Sequence, residues 1–159
     1  MTALIILAVL VVLAIIIIGI YNRLVALRQN CRQGVADIDA QLRQRHDLVP
    51  NLVTTVKGYA THERETLDAV VEARNTAAAN SSSENEAKLK LSLDRLLALG
   101  EAYPDLKASA NFQTLQAELA DLEDKLAAAR RALNAAVARF NTAIEAFPAV
   151  LFAGARLPA

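Results

Sequence analysis

The sequence predicts an all-α protein in which an N-terminal transmembrane helix is followed by an antiparallel up-and-down four-helix bundle. Three observations support this class: an uncharged apolar run at residues 3–21, a 3.5-residue apolar repeat at residues 111–147, and a composition poor in helix breakers. Only five glycines and four prolines occur in 159 residues. Chains rich in alanine and leucine with this pattern favour helices.

The apolar run reads ALIILAVLVVLAIIIIGIY and is followed at once by Arg23. A helix of this length is ~28 Å long, close to the ~30 Å hydrocarbon core of a bilayer. A secretory signal peptide would instead need a basic N-terminal region, a shorter apolar stretch and a small-residue cleavage site. Met1 and Thr2 are not basic, and residues 22–25 contain no such site. We therefore expect residues 1–21 to form an uncleaved membrane anchor.

The arginines that flank this segment predict its orientation. Arg23, Arg28 and Arg32 follow it, whereas no basic side chain precedes it. The positive-inside rule then places the N-terminus outside and residues 22–159 in the cytoplasm, as a single-pass protein. The lone Cys31 cannot form an intramolecular disulfide, which agrees with a reducing compartment, and we expect it to be a small apolar residue on a helix face.

The last predicted helix, residues 111–147, has the clearest periodicity. Asn111 is expected to cap this helix and Pro148 to end it. A repeat with steps of three and four over this length indicates a helix in a left-handed bundle or coiled coil. The predicted core positions are Phe112, Leu115, Leu119, Leu122, Leu126, Ala129, Leu133, Ala136, Phe140, Ala143 and Phe147.

A shorter helix is expected at residues 86–103, with leucines 89, 93, 96 and 97 and Tyr103 toward the core. Ser83-x-x-Glu86 has the pattern of a capping box, in which the glutamate bonds back to the first backbone N–H groups. Pro104 would stop the helix, and residues 80–83 form a polar loop before it.

The segment between residues 43 and 50 admits two interpretations. Asp47 suits an N-cap and Pro50 suits a first helical turn, which favours a break between two helices. The alternative is one long helix that is only kinked at Pro50. The break gives four antiparallel helices, at residues 22–46, 48–79, 86–103 and 111–147, within a domain of residues 22–148. It would also return the apolar tail 149–159 to the membrane, so that lipid is contacted by residues 3–21 and by Val150, Leu151 and Phe152.

No catalytic, cofactor-binding or metal-binding set emerges from the sequence, and we expect no enzymatic activity. His62-Glu63-Arg64-Glu65-Thr66 lacks the second histidine of a zinc-binding H-E-x-x-H helix and is more simply a solvated surface. The isolated glycines form no phosphate loop, and no basic-aromatic cluster indicates nucleic-acid binding. Asp37 and Asp39 point to different sides of a helix. His46 is expected to be a hydrogen-bonded turn residue rather than a pH sensor.

Two stretches of the chain together resemble the LemA family of bacterial membrane-anchored helical proteins. The first runs from Tyr21-Asn22-x-Leu24-Val25 through Arg45-His46-Asp47-Leu48-Val49-Pro50-Asn51 to Val56-Lys57-Gly58-Tyr59-Ala60-x-His62-Glu63. The second runs from Glu101-Ala102-Tyr103-Pro104-Asp105 through Asn111-Phe112 and Leu115-x-x-Glu118-Leu119 to Arg139-Phe140-Asn141 and Phe147-Pro148. The match covers nearly the whole chain in order, and departs from the family pattern at residues 80–86 and after Pro148.

The resemblance implies an N-terminal anchor and an antiparallel four-helix bundle, but no established chemistry. One member of the family is implicated in the biogenesis of the magnetosome, a membrane organelle, which offers an analogy for a role in membrane organisation. We therefore expect a non-enzymatic scaffold or interaction protein, tethered to the inner membrane of a bacterial cell with its domain in the cytoplasm. The alternatives are a self-assembling structural homo-oligomer in the membrane and an enzyme with an unrecognised site.

Overall fold

The computed structural model describes residues 1–151, and all regular secondary structure within them is helical, as the sequence predicts. The elements are α1 (Thr2–Lys57), α2 (Arg64–Ala79), α3 (Ser83–Ala102), α4 (Pro104–Ala108), α5 (Ala110–Glu145) and a 3₁₀ turn (Ala149–Leu151). Of the three tail residues expected to contact lipid, Val150 is half-exposed at 51%. The side chain of Leu151 and all of Phe152 lie outside the described residues.

Helix α1 begins with the apolar segment and continues without interruption into the helical domain. By length and composition it is the one helix of residues 1–151 that could cross a membrane, and its most apolar stretch is entirely exposed. Within residues 1–151, no protein neighbours bury the aliphatic side chains of that stretch, as is typical of a helix that is surrounded by lipid.

The predicted break at Asp47–Pro50 is wrong, because α1 is helical through Pro50 as far as Lys57. A proline inside a helix leaves the carbonyl four residues earlier without its N–H partner. That carbonyl belongs to His46, and it accepts a hydrogen bond from Nε of Arg74 on α2 at 3.2 Å. A side chain distant in sequence thus replaces the donor that Pro50 lacks.

The first turn between helices lies instead at residues 58–63, so the predicted helices at 22–46 and 48–79 are replaced by α1 and α2. The last turn of α1 tightens as the N–H groups of Gly58 and Tyr59 bond to the carbonyls of Thr55 and Val56, at 3.2 and 3.0 Å. Ala60 follows and is buried against the core. With this turn the described residues still contain four long helices, α1, α2, α3 and α5, which is the number that we predicted.

The chain divides into two compact units, Met1–Asp37 with Ala128–Ala159, and Ile38–Ala127. The unit Ile38–Ala127 has a continuous apolar core to which α1, α2, α3, α4 and α5 all contribute. Gly100 permits a close approach in this core, since a Cβ there would lie 2.9 Å from the ring of Phe112. The fully buried members of the core are Leu52, Val56, Val70, Ala77, Leu89, Leu96 and Leu106.

The other unit pairs the part of α1 that follows the apolar segment with the second half of α5. Cys31 is the small apolar residue on a helix face that we predicted, and it is buried among Val137, Phe140 and Ile144. Gly34 lies directly against α5, because a Cβ there would lie 3.1 Å from Cδ1 of Leu133 and 3.3 Å from its Cα. Leu24 and Leu27 pack on the same cluster. Because Gly34 lies against Leu133 whereas Leu24 and Leu27 line a groove with residues 138–149, this part of α1 and the end of α5 run antiparallel.

The predicted core face of α5 is confirmed at all positions but the last. Phe147 lies beyond the end of the helix at Glu145 and is 82% exposed. Two predicted caps are also corrected. The N–H of Asn85 donates to the Ser82 side chain at 3.2 Å, so Ser82 rather than Ser83 caps α3. Asn111 lies inside the first turn of α5, which begins at Ala110.

Candidate functional site

Three charged or titratable side chains are buried together in the unit Ile38–Ala127. Arg45 and His46 lie on α1 and Glu86 lies on α3, and each is no more than 5% exposed. We call this group, with the Ser81 hydroxyl and the Glu123 carboxylate that contact it, the Arg45 cluster. Buried charges are costly unless they are paired and hydrogen-bonded, so the pairing within the cluster decides what it can do.

The Glu86 carboxylate is the centre of the Arg45 cluster. Its Oε2 accepts a hydrogen bond from Nη2 of Arg45. Its Oε1 lies 2.9 Å from Nε2 of His46 and accepts a hydrogen bond from the Ser81 hydroxyl at 2.9 Å. The other terminal nitrogen of Arg45, Nη1, donates to Oε1 of Glu123 on α5 at 2.6 Å. Arg45 therefore links three helices through two carboxylates.

Opposing effects act on the ionisation of Glu86. Burial raises the pKa of its carboxyl, but the hydrogen bonds from Arg45 and Ser81 and the charges of Arg45 and His46 outweigh burial and lower that pKa below its usual value of 4.5. Glu86 is thus ionised at neutral pH. An ionised, fully bonded carboxylate is a poor proton carrier and a strong structural anchor.

The arrangement of the Arg45 cluster suits fixation of helix register rather than chemistry. Both oxygens of Glu86 are taken up by donors from the protein. Among residues 1–151 no group of three or more His, Cys, Asp or Glu side chains is placed to hold a metal ion. Nε of Arg45 and Oε1 of Gln41, one helical turn apart on α1, are a buried donor and a buried acceptor without partners. They are the incompletely satisfied part of the cluster.

The structure does not assemble the other candidate residues into a site. His62 and Glu65 are exposed, and Glu63 precedes α2 at its N-cap. Glu63 is more than the solvated residue we expected, because its carboxylate accepts a hydrogen bond from the Tyr103 hydroxyl at 3.0 Å. That bond and the negative charge of Glu63 raise the pKa of Tyr103 above 10.0. The contact ties the turn after α1 to the end of α3.

A groove of about 540 Å³ lies in the other unit, beside the end of the apolar segment. Its floor is formed by Ile20, Leu24 and Leu27 from α1 and by alanines and Phe147 from the end of α5 and beyond. Of its twelve lining residues nine are apolar, and the two charged ones are Arg23 and Arg139. The volume falls within the ~300–1,000 Å³ typical of ligand pockets.

A model of the LemA family matches residues 34–156 of the chain, most of its length. The chain belongs to the LemA family. The resemblance carried by the two sequence stretches is thereby confirmed. Membership in the family and the apolar N-terminal helix together indicate a membrane-associated helical protein.

A relative of this LemA protein is the magnetosome protein MamQ of Magnetospirillum gryphiswaldense, which is 36% identical over 56 residues. The aligned part covers 35% of this chain but only 21% of MamQ. The match is therefore a likeness between segments of the two proteins.

The Arg45 cluster of this LemA protein is not among the sites that we predict from the sequence, although the sequence contains a signal for it. The local pattern predicts a helix end at residue 46, a turn position for His46 and a capping box for Glu86, and all three predictions are wrong, because His46 lies inside α1 and the Glu86 carboxylate bonds to Arg45. Once α1 is treated as one helix, positions 42, 45, 49, 52 and 56 follow one another in steps of three and four. That repeat places Arg45 on the buried face, and a buried arginine requires a carboxylate partner.

Proposed function

We propose that this LemA protein is a non-enzymatic helical scaffold, tethered by residues 3–21 to the inner membrane of a bacterial cell with its helical domain on the cytoplasmic face. The observation that carries the proposal is the continuity of α1 from Thr2 to Lys57. Its first part is the apolar segment, and its remaining part supplies core residues to both units. No linker separates the anchor from the folded part. An antiparallel up-and-down packing of α1, α2, α3 and α5 is part of this proposal.

The distribution of charge supports the proposed orientation. Residues 22–37 and 128–151 carry six arginines against Asp37 and Glu145, whereas residues 38–127 carry ten basic and fifteen acidic side chains. The basic unit is the one that adjoins the apolar segment. Arginines near a span are retained on the cytoplasmic side and are attracted to its anionic lipids.

A structural role is also supported by what the polar groups do. The charged residues that are buried in the unit Ile38–Ala127 bond to one another and cross-link α1, α3 and α5. Buried polar networks of this kind specify one packing arrangement at some cost in stability. A protein that holds a fixed surface for partners needs such specificity more than it needs a reactive group. The name of MamQ, a magnetosome protein, supports a role in membrane organisation.

Labelling of single cysteines tests the orientation. In a Cys31→Ala background, Thr2→Cys and Ala87→Cys each place one exposed thiol, before the apolar segment and on α3. A membrane-impermeant maleimide added to intact spheroplasts should label Thr2→Cys and should label Ala87→Cys only after lysis. Labelling of Ala87→Cys in intact spheroplasts would place the domain outside and refute the proposal.

Self-assembly is the second candidate function, and the exposed apolar residues of the helical domain favour it. Leu91 on α3 and Val71 on α2 are 54% and 41% exposed, which leaves apolar surface for a second copy. The mass of the full-length protein in mild detergent separates the candidates, because a scaffold for other proteins should be a monomer and a self-assembling one an oligomer. A Leu91→Glu variant should dissociate such an oligomer, whereas Lys88→Glu, at an exposed position already charged, should not.

A further inference from the structure

We infer that the groove beside the apolar segment binds one anionic phospholipid of the membrane in which this protein is anchored. This inference rests on the proposed membrane attachment and adds to it a defined site with a defined ligand chemistry. Three features of the unit Met1–Asp37 with Ala128–Ala159 lead to it: the depth of the groove, the chemistry of its lining, and the unpaired state of its two arginines.

The depth follows from the helix that forms the floor. Ile20 belongs to the apolar segment, and Leu27 lies seven residues later, ~10 Å further along the helix axis. The polar headgroup region of a bilayer is ~5–8 Å deep on each side of the hydrocarbon core. The groove therefore begins in the hydrocarbon and ends at the level of the phosphates. Tyr21 and Phe147 are 66% and 82% exposed there, as aromatic residues of the membrane interface commonly are.

The lining suits a lipid with an apolar chain and a negatively charged head. Ile20, Leu24 and Leu27 are spaced to share one face of α1, and Arg23 lies at the edge of that face. The hydroxyl of Thr142, the one uncharged polar side chain of the lining, donates to the carbonyl of Ala138 at 2.9 Å and is thereby satisfied. The polar groups left for a ligand are the guanidinium groups of Arg23 and Arg139.

These two arginines are free to bind a ligand. Within residues 1–151 neither Arg23 nor Arg139 forms an ion pair or a side-chain hydrogen bond, whereas Arg45 engages two carboxylates. The phosphate of a phospholipid accepts charge-assisted, bidentate hydrogen bonds from guanidinium groups. With the phosphate between Arg23 and Arg139, the first carbons of an acyl chain can lie on the apolar floor. A neutral lipid lacks the net charge that this pair of arginines selects.

Native mass spectrometry of the full-length protein in mild detergent tests the site directly, with phosphatidylglycerol and phosphatidylcholine as probes. The test variant is Arg23→Gln/Arg139→Gln, and the matched control is Arg28→Gln/Arg131→Gln, which removes the same charge from exposed positions outside the groove. We expect one tightly held phosphatidylglycerol on the wild type and on the control, and roughly tenfold weaker binding to the test variant. Millimolar inorganic phosphate should not displace the lipid, because it lacks the chain.

A second variant keeps the proposal testable if the first does not fold. Ala146→Trp fills the groove from an exposed position and leaves both arginines in place, and it should lower the occupancy of phosphatidylglycerol as well. An equal loss of phosphatidylglycerol binding in the test and control arginine variants would show that bulk charge attracts the lipid, and it would overturn the proposed site. Equal binding of phosphatidylcholine, or binding that begins only after residues 152–159 are deleted, would also overturn it. None of these results bears on orientation, which the maleimide experiment measures separately.

Discussion

Replacing Arg45 by methionine should destabilise the protein by about 3 kcal/mol, because the change leaves an ionised carboxylate buried without its strongest partner. Oε2 of Glu86 loses the Nη2 donor of Arg45, whereas Oε1 keeps His46 and Ser81. Breaking a buried pair costs ~3–5 kcal/mol, and the bonds that remain on Oε1 place the cost at the lower end. Glu123 also loses Arg45, but its side chain is 36% exposed and can be hydrated.

Thermal unfolding of the full-length protein in mild detergent, followed by circular dichroism at neutral pH, measures this cost. A loss of about 3 kcal/mol lowers Tm by roughly 10 °C in a domain of this size. The matched variant is Arg45→Met/Glu86→Leu, which removes both charges and should lie within about 1 kcal/mol of the wild type, as apolar replacements of buried pairs often do. The reasoning is refuted if Arg45→Met alone has the Tm of the wild type, or if the double variant is less stable than Arg45→Met.

The pH dependence of stability provides a second test of the Arg45 cluster, through its Glu86 carboxylate. Because the pKa of Glu86 is lowered on folding, the unfolded chain binds the proton more readily, and the stabilisation that Glu86 contributes is fully present above its usual pKa of 4.5. That contribution is lost as the pH falls below 4.5 and through the folded-state pKa. Glu86→Gln should therefore flatten the acid limb of a plot of Tm against pH. Glu84→Gln should flatten it less, because Glu84 is exposed and its bond to Lys88 is screened.

Two further predictions concern the core and the proline. Leu119→Asp buries an unpaired carboxylate in the core and should lower the free energy of unfolding by several kcal/mol, against a total of ~5–15 kcal/mol. Asp121→Ala on the exposed face should change Tm little. Equal effects of the two substitutions would mean that the repeat does not mark the core. Arg74→Ala should lower the free energy of unfolding by about 1–3 kcal/mol, because it leaves the His46 carbonyl unpaired. The cost should be smaller in a Pro50→Ala background, where the backbone N–H at residue 50 is restored. The same cost in both backgrounds would show that Arg74 does not replace the donor that Pro50 lacks.

The parts of the fold that depend on local pattern could be predicted from the sequence. The apolar segment is continuously apolar, and along the core face of α5 apolar residues recur in steps of three and four. The structure confirms both patterns. Phe147 is the exception, because the periodic pattern continues past Glu145, where the helix ends. Pattern alone does not report where backbone hydrogen bonding stops.

The parts that depend on distant partners could not be predicted. Pro50 and Asp47 carry a local signal for a helix break, and that signal is overridden by Arg74, which lies 24 positions after Pro50 in the sequence and 3.2 Å from the His46 carbonyl. Glu86 satisfies a local capping pattern, yet its carboxylate bonds to Arg45 and not to the start of α3. In both cases a tertiary hydrogen bond outweighs a local preference worth about 1–3 kcal/mol.

The measurement that tests the account most directly is the depth of the C-terminal end of α5 relative to the bilayer. The antiparallel pairing of α1 and α5 and the groove at Arg23 both require that end to lie at the membrane surface. In a Cys31→Ala background reconstituted into vesicles, a fluorophore on Val150→Cys should be quenched by headgroup-labelled and shallow acyl-labelled lipids. The same fluorophore on Arg131→Cys, fourteen residues before the end of α5 and therefore ~21 Å away along its axis, should not be quenched. Quenching at residue 131 without quenching at residue 150 would contradict both the pairing and the lipid site.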